Sequence, residues 1–126
     1  MDPNQNSEQL ARGLAAAERK DWEEATRLLL PLAEEGDAVA RCIVATMYSV
    51  GFGVPVDARK AAELYLDVAE RGIEEGHLSA LAYHNLAVLH VTGAPGFERD
   101  LDKAGDFERL AKAAGFDLGT KSTAKE

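Results

Sequence analysis

Apolar residues recur along this chain at steps of three and four, the spacing that places side chains on one face of a helix. Leu10 and Leu14 show this spacing near the start, and Val39, Ile43 and Met47 show it further along. The apolar–polar alternation of a β-strand is absent from these segments. The pattern predicts six helices, at about 7–19, 21–35, 38–50, 57–71, 78–92 and 100–114.

Residues that favour helix ends stand at the predicted boundaries. Side chains that accept hydrogen bonds from the first turn of a helix occur at the predicted N-caps, Asn6, Asp21, Asp57 and Asp100. Glycines that suit a left-handed residue after a helix occur at Gly36, Gly72 and Gly115. The boundaries therefore support the helices that the apolar spacing predicts.

The chain also repeats itself. The sequence LAEEG at 32–36 returns as VAERG at 68–72 and, more loosely, as AKAAG at 111–115. Residues 38–48 return in similar form at 80–90. Such self-similarity is typical of stacked helix pairs, in which each pair packs mainly on its neighbours.

Small residues recur at one register of these repeats. We expect them where two helices approach closely, because a larger side chain would overpack the contact. These positions are Ala25, Ala45, Ala61, Ala87 and Ala104, with Leu28, Leu64 and Phe107 filling the space beside three of them.

The middle repeat resembles the Sel1-like repeat, a relative of the tetratricopeptide repeat. The resemblance is carried by Gly36-Asp37-Ala38 through Tyr48, Gly51-x-Gly53-Val54, Asp57, Lys60-Ala61, Leu64-Tyr65 and Ala69-Glu70-x-Gly72. The last copy departs from the pattern, since Glu108 stands where Tyr65 does and Lys112 stands where Ala69 does. The resemblance implies an all-α fold, a short right-handed α-solenoid of about three antiparallel helix pairs at 7–36, 37–72 and 73–116, between flexible ends at 1–6 and 117–126.

Composition narrows the classes of function. The 126 residues include 22 acidic and 14 basic ones, a net charge of −8 that disfavours nucleic acid, whose phosphates require Lys and Arg. Cys42 is the single cysteine, so no intrachain disulfide forms. No apolar run is long enough to cross a bilayer, and the first residues do not form a signal peptide. We expect a cytoplasmic, bacterial protein, although removal of a secretory signal would leave the same sequence.

Two groups of residues have side chains that could bind a metal or catalyse a reaction. His77, His84 and His90 lack the four-residue spacing of a helical zinc pair, so we expect no metal and no cofactor. Cys42 and His84 share a register in successive repeats, but a thiolate–imidazole pair needs direct contact and a third, orienting group. We expect no catalytic residue.

Similarity to tetratricopeptide packing implies that the first helix of each pair lines a concave surface. The predicted partner-binding residues on it are Leu10, Leu14, Val39, Cys42, Thr46, Ser49, Leu81, His84, Val88 and Val91. An apolar surface of this kind binds a partner's helix or strand, or is covered by the chain's own tail or by a second copy. The favoured function is a non-enzymatic protein–protein interaction module of adaptor, regulator or toxin-immunity type, a monomer or homodimer whose acidic rim suits a basic partner.

Two alternatives stay open at this point. One is a hydrolase, because a cysteine-rich branch of the family is associated with β-lactam binding or hydrolysis. That branch carries paired cysteines within its repeats, whereas this chain has Cys42 alone. The other alternative is a homo-oligomeric structural scaffold built by end-to-end stacking.

Overall fold

A computed structural model describes residues 3–71 and 76–115, and its secondary structure there consists of helices and one isolated β-bridge. The fold class is therefore all-α, as the sequence predicts. The helices are α1 (Pro3–Glu18), α2 (Trp22–Glu34), α3 (Ala38–Val50), α4 (Ala58–Arg71), α5 (Gly76–Thr92) and α6 (Leu101–Ala113).

The first helix begins earlier than its predicted start at Ser7. It starts at Pro3, so residues 3–6 are helical and Asn6 is not the N-cap. Proline suits the first position of a helix, because the N–H that it lacks would have no intrahelical partner there. The predicted flexible tail at 117–126 and the predicted helix end at Gly72 lie outside the described residues.

Aspartate side chains cap the N-termini of three helices, as predicted. Each accepts a hydrogen bond from the backbone N–H three residues later: Asp21 from Glu24 at 3.3 Å, Asp57 from Lys60 at 3.1 Å and Asp100 from Lys103 at 3.0 Å. These bonds satisfy N–H groups that have no carbonyl partner within the first turn.

The end of α2 shows why a glycine is needed at position 36. Gly36 has a φ of +104°, a left-handed conformation that a Cβ would strain. Its N–H donates to the carbonyl of Ala33, and the N–H of Asp37 donates to the carbonyl of Leu32. This pair of bonds is the Schellman motif, which ends α2 and turns the chain into α3.

The chain forms two compact units, Met1–Tyr65 and Leu66–Glu126, and α4 contains the boundary between them. In the first unit, α1 packs on α2 and α2 packs on α3. Gly13 allows the first of these contacts, because an added Cβ would overlap the side chain of Leu29. Phe52, which follows α3, stacks on Trp22 of α2 with ring centroids 4.6 Å apart.

Small side chains occupy the helix contacts that the repeat register predicts. Ala25, Ala45 and Ala61 are fully buried, and Ala87 and Ala104 are nearly so. The prediction that these positions belong to the core is confirmed.

In the second unit α5 packs on α6, and an imidazole lies among aromatic rings. The ring of His90 is 4.9 Å from that of Phe97 and 5.6 Å from that of Phe107. Burial lowers the pKa of His90, the cation of Lys103 lowers it further, and Asp100 partly offsets both effects. His90 is therefore a buried core residue whose surroundings favour the neutral imidazole.

A tight turn connects α5 to α6. Ala94 and Phe97 exchange backbone hydrogen bonds of 2.9 and 2.8 Å, and Gly96 between them has a φ of +75°. Proline at 95 followed by glycine at 96 suits such a turn. Among the described helices, none has both the length and the apolar character that a membrane span requires.

Replacing Ala61 by Leu tests the helix contacts. We expect the free energy of unfolding to fall by about 1–3 kcal/mol, because the new side chain has no space where Ala61 is fully buried. Glu63→Leu is the matched control: the same residue is introduced at an exposed position of α4, where changes stay within about 0.5 kcal/mol. Urea midpoints that coincide for the two variants would contradict close packing at Ala61.

The buried imidazole predicts a pH-dependent stability. Since the pKa of His90 lies below its ordinary value of 6.5 in the folded chain, unfolded chains bind its proton more readily. The contribution of His90 is complete above about pH 6.5 and is lost as the pH falls through the folded-state value. We expect urea unfolding of the parent to show this slope and His90→Phe to lack it. Equal slopes would contradict the buried, neutral imidazole.

Candidate functional site

Helix α5 presents an apolar stripe to solvent. Leu81, Val88 and Val91 are 38%, 44% and 46% exposed, and their spacing of seven and three residues keeps them on one face. The equivalent positions of Val88 and Val91 in α3 carry the polar residues Thr46 and Ser49. The stripe is therefore a property of α5 and not of the repeat in general.

Helix α6 adds a second wall beside this stripe. Leu101 is 59% exposed at the start of α6, and the small residues Ala104 and Gly105 leave space between the two helices. The result is an open groove of about 370 Å³. We call it the α5–α6 groove; it is lined by Ala87, Val88, Val91, Leu101, Ala104, Gly105 and Glu108.

One polar pair lies at this groove. Nδ1 of His84 is 3.2 Å from Oε1 of Glu108, and both side chains are half-buried. The pair joins α5 to α6, and it becomes an ion pair when the imidazole is protonated. Glu108 is the one charged residue among the seven that line the groove. The groove therefore offers a largely apolar surface with a single anchoring carboxylate.

The predicted partner-binding residues of the second unit thus lie together. Leu81, His84, Val88 and Val91 all belong to the exposed side of α5, and two of them line the groove. Leu101, Gly105 and Glu108 were not among the predicted site residues. Gly105, a glycine inside the predicted helix at 100–114, was the signal that could have identified the α6 wall.

The predicted residues of the first unit have other roles. Leu10 of α1 packs against the core formed by α1, α2 and α3, and Leu14 and Val39 are half-buried. Ser49 donates a hydrogen bond to the carbonyl of Thr46 at 2.9 Å. Thr46 is exposed, but its hydroxyl donates to the carbonyl of Cys42 at 3.1 Å.

A further contact holds the same threonine. The hydroxyl of Thr46 donates its one hydrogen to the carbonyl of Cys42. In the contact with Tyr65, the tyrosine hydroxyl is therefore the donor and Thr46 Oγ1 the acceptor. The two residues thereby connect α3 to α4 within the first unit. Thr46 has a structural role in the chain, and its methyl group is the part left for a partner.

Cys42 differs from the expectation of a partner-contacting residue. Its side chain is 5% exposed, and burial raises the pKa of the thiol to about 11. At neutral pH the thiol stays protonated, and a protonated thiol is a poor nucleophile. Cys42 is thus a small apolar core residue.

A metal site needs several ligand side chains that converge on one ion. Within residues 3–71 and 76–115, no three His, Cys, Asp or Glu side chains converge as ligands of one ion. The side chain of His77 lies outside the description.

Alkylation measures the reactivity of this cysteine. A pKa of about 11 in place of 9.0 lowers the thiolate fraction of Cys42 about a hundredfold, so native protein should react with iodoacetamide at least that much more slowly than protein in urea. Free cysteine in the same two solutions controls for the solvent. Equal rates for native and unfolded protein would contradict the burial of Cys42.

Comparison with known proteins supports the fold. No family model and no curated protein matches the chain. A crystal structure of a Sel1 repeat protein from Oxalobacter formigenes is similar, with a TM-score of 0.68 and 25% sequence identity. The match covers 83% of this chain and 39% of that protein, so the chain spans about two fifths of the length of its structural relative. Together with the six helices of the described residues, this similarity shows that the chain has a Sel1-like repeat fold, an α-solenoid type built from helix pairs.

Proposed function

We propose that this chain is a protein-interaction module without catalytic activity, and that it binds another protein through the α5–α6 groove. One observation carries the proposal. Val88, Val91 and Leu101 leave between 44% and 59% of their surface in water around a groove with an apolar floor. Contiguous exposed apolar surface on a soluble domain is typical of an interaction site.

The energetics favour an apolar partner segment. Covering apolar surface stabilises a complex by about 25 cal/mol for each Å² removed from water. The floor of the groove is alanine and glycine, so a partner's larger side chains can fill the space between α5 and α6. Glu108 accepts a hydrogen bond at the edge and can fix the orientation of the bound segment.

Two features support a binding module over the hydrolase alternative. The single thiol, that of Cys42, is buried and protonated. The structural relative is also described as a repeat protein, and helical repeats of this kind usually act as interaction scaffolds. The proposal also includes three predictions from the sequence: an adaptor, regulator or immunity role, a bacterial source and a cytoplasmic location.

The charge of the whole chain, taken without the groove, favours encounter with a basic protein. A net charge of −8 increases the rate of encounter with a basic protein. Glu108 is the one charged side chain that lines the groove, so charge steers the encounter while apolar contact supplies the affinity.

The combined change Leu81→Glu with Val88→Glu tests the proposal. We expect the immobilised parent to retain specific proteins from an extract of its source organism and the variant to lose them, because charges would be desolvated against an apolar ligand. Folding should stay nearly intact, because both positions are exposed. Mass spectrometry of the retained proteins and circular dichroism of the variant are the measurements.

A matched control separates the groove from charge in general. Leu66→Glu with Leu110→Glu adds the same two charges at exposed leucines of the second unit that do not line the groove. Its retained proteins should equal those of the parent. Loss of folding in the Leu81/Val88 variant, or equal retention by both variants, would contradict the proposed site.

A further inference from the structure

We propose that the protein occupying the α5–α6 groove is a second copy of this chain, which forms a symmetric dimer. This inference rests on the proposed function, since it names the partner of the same site. Three features of the second unit support it: the register of the groove within the repeat, a glycine that the chain's own packing does not require, and a local balance of charge.

The repeat register shows what kind of surface the groove is. A displacement of 43 residues places Leu101 at the position of Ala58 and Glu108 at that of Tyr65. Ala58 and Tyr65 are buried, whereas Leu101 is 59% exposed. The part of this face that begins the helix is therefore buried on α4 and open at Leu101 on α6. In a repeat fold such a face is shaped for other helices, and a second copy of the chain supplies helices of this kind.

Gly105 supports close approach of another backbone. A glycine inside a helix costs about 1 kcal/mol relative to alanine. Gly13 has an internal reason for this cost, because an added Cβ would overlap Leu29. Gly105 has no comparable reason, because the nearest atom to an added Cβ is Nη1 of Arg109, at an ordinary distance of 3.7 Å. The missing side chain leaves space in the groove for a partner.

Local charge favours a second copy over a basic protein at this place. Helix α5 contains no Asp, Glu, Lys or Arg. Helix α6 contains three acidic and three basic residues, so its net charge is zero. The charge of −8 therefore comes from other parts of the chain, and the helices of this face add no net charge that would repel a second copy.

The same balance makes the face self-complementary. A symmetric interface brings one patch against its own copy, so any acidic residues in it need basic ones to pair with, and apolar residues suit apolar residues. Val88, Val91 and Leu101 supply the apolar part. Such an interface closes at two copies, because each chain uses its groove once.

Sedimentation equilibrium over about 1–200 μM tests the inference with four proteins. We expect the parent to approach twice its 13.5 kDa mass as the concentration rises. Leu101→Glu should weaken the dimer at least tenfold while keeping the fold, because a carboxylate suits the first turn of α6. Gly105→Leu should also weaken it at least tenfold while raising the melting temperature of the dilute monomer, since leucine is the better helix former. Leu110→Glu, the same change as at Leu101 on another exposed leucine of α6, should leave the dimer unchanged.

Several results would overturn the second copy as occupant. If neither Leu101→Glu nor Gly105→Leu weakens the dimer, its interface lies elsewhere on the chain. Growth beyond two copies would exclude a symmetric pair. A monomer at every concentration whose melting temperature falls with Leu101→Glu would assign the groove to residues 116–126 of the same chain.

The retention experiment separates this inference from the proposed function. A chain that stays monomeric but retains other proteins in a manner dependent on Leu81 and Val88 would overturn the dimer and support the interaction module. A monomer that retains nothing would overturn both. Dimerisation that Leu101→Glu weakens would support both, with or without a further partner.

Discussion

The close approach of paired helices over very small side chains is the contact on which the rest of this structure depends. Ala25, Ala61 and Ala104 stand at the same register of successive repeats and are buried. At the contact of α1 with α2 even the Cβ of an alanine would overlap a neighbouring side chain, and the sequence has Gly13 there. Larger side chains beside these positions, such as Leu28 and Leu29, are buried as well, as a close-packed core requires.

Most of the fold could be predicted, because helix boundaries depend on nearby residues. Asp21, Asp57 and Asp100 accept hydrogen bonds within their own first turns, and Gly36 ends its helix by a bond pattern of a few residues. The start of α1 differed because the capping sequence that begins at Asn6 lies inside a helix that continues back to Pro3. A local motif shows that a helix can begin at a residue, but it does not show that one must.

The candidate site was predicted only in part, because burial depends on residues far away in the sequence. Val88 and Val91 could be placed on one face from their spacing, whereas Cys42, which the same reasoning placed on the binding face of α3, is buried. The wall formed by α6 was missed because Leu101 and Glu108 reach the groove only through the packing of α5 on α6. Spacing identifies a helix face, and only the packed structure shows which face remains in water.

The stacking of Phe52 on Trp22 gives the protein a natural optical label. Trp22 is the chain's single tryptophan, and both rings belong to the first unit. The second unit has Tyr83, Phe97 and Phe107 in its described core, and these absorb and emit at shorter wavelengths. Emission excited at the red edge of the absorption band therefore reports on α2 and the loop after α3 alone. The folding of one unit can be followed separately from that of the whole chain without attaching a dye.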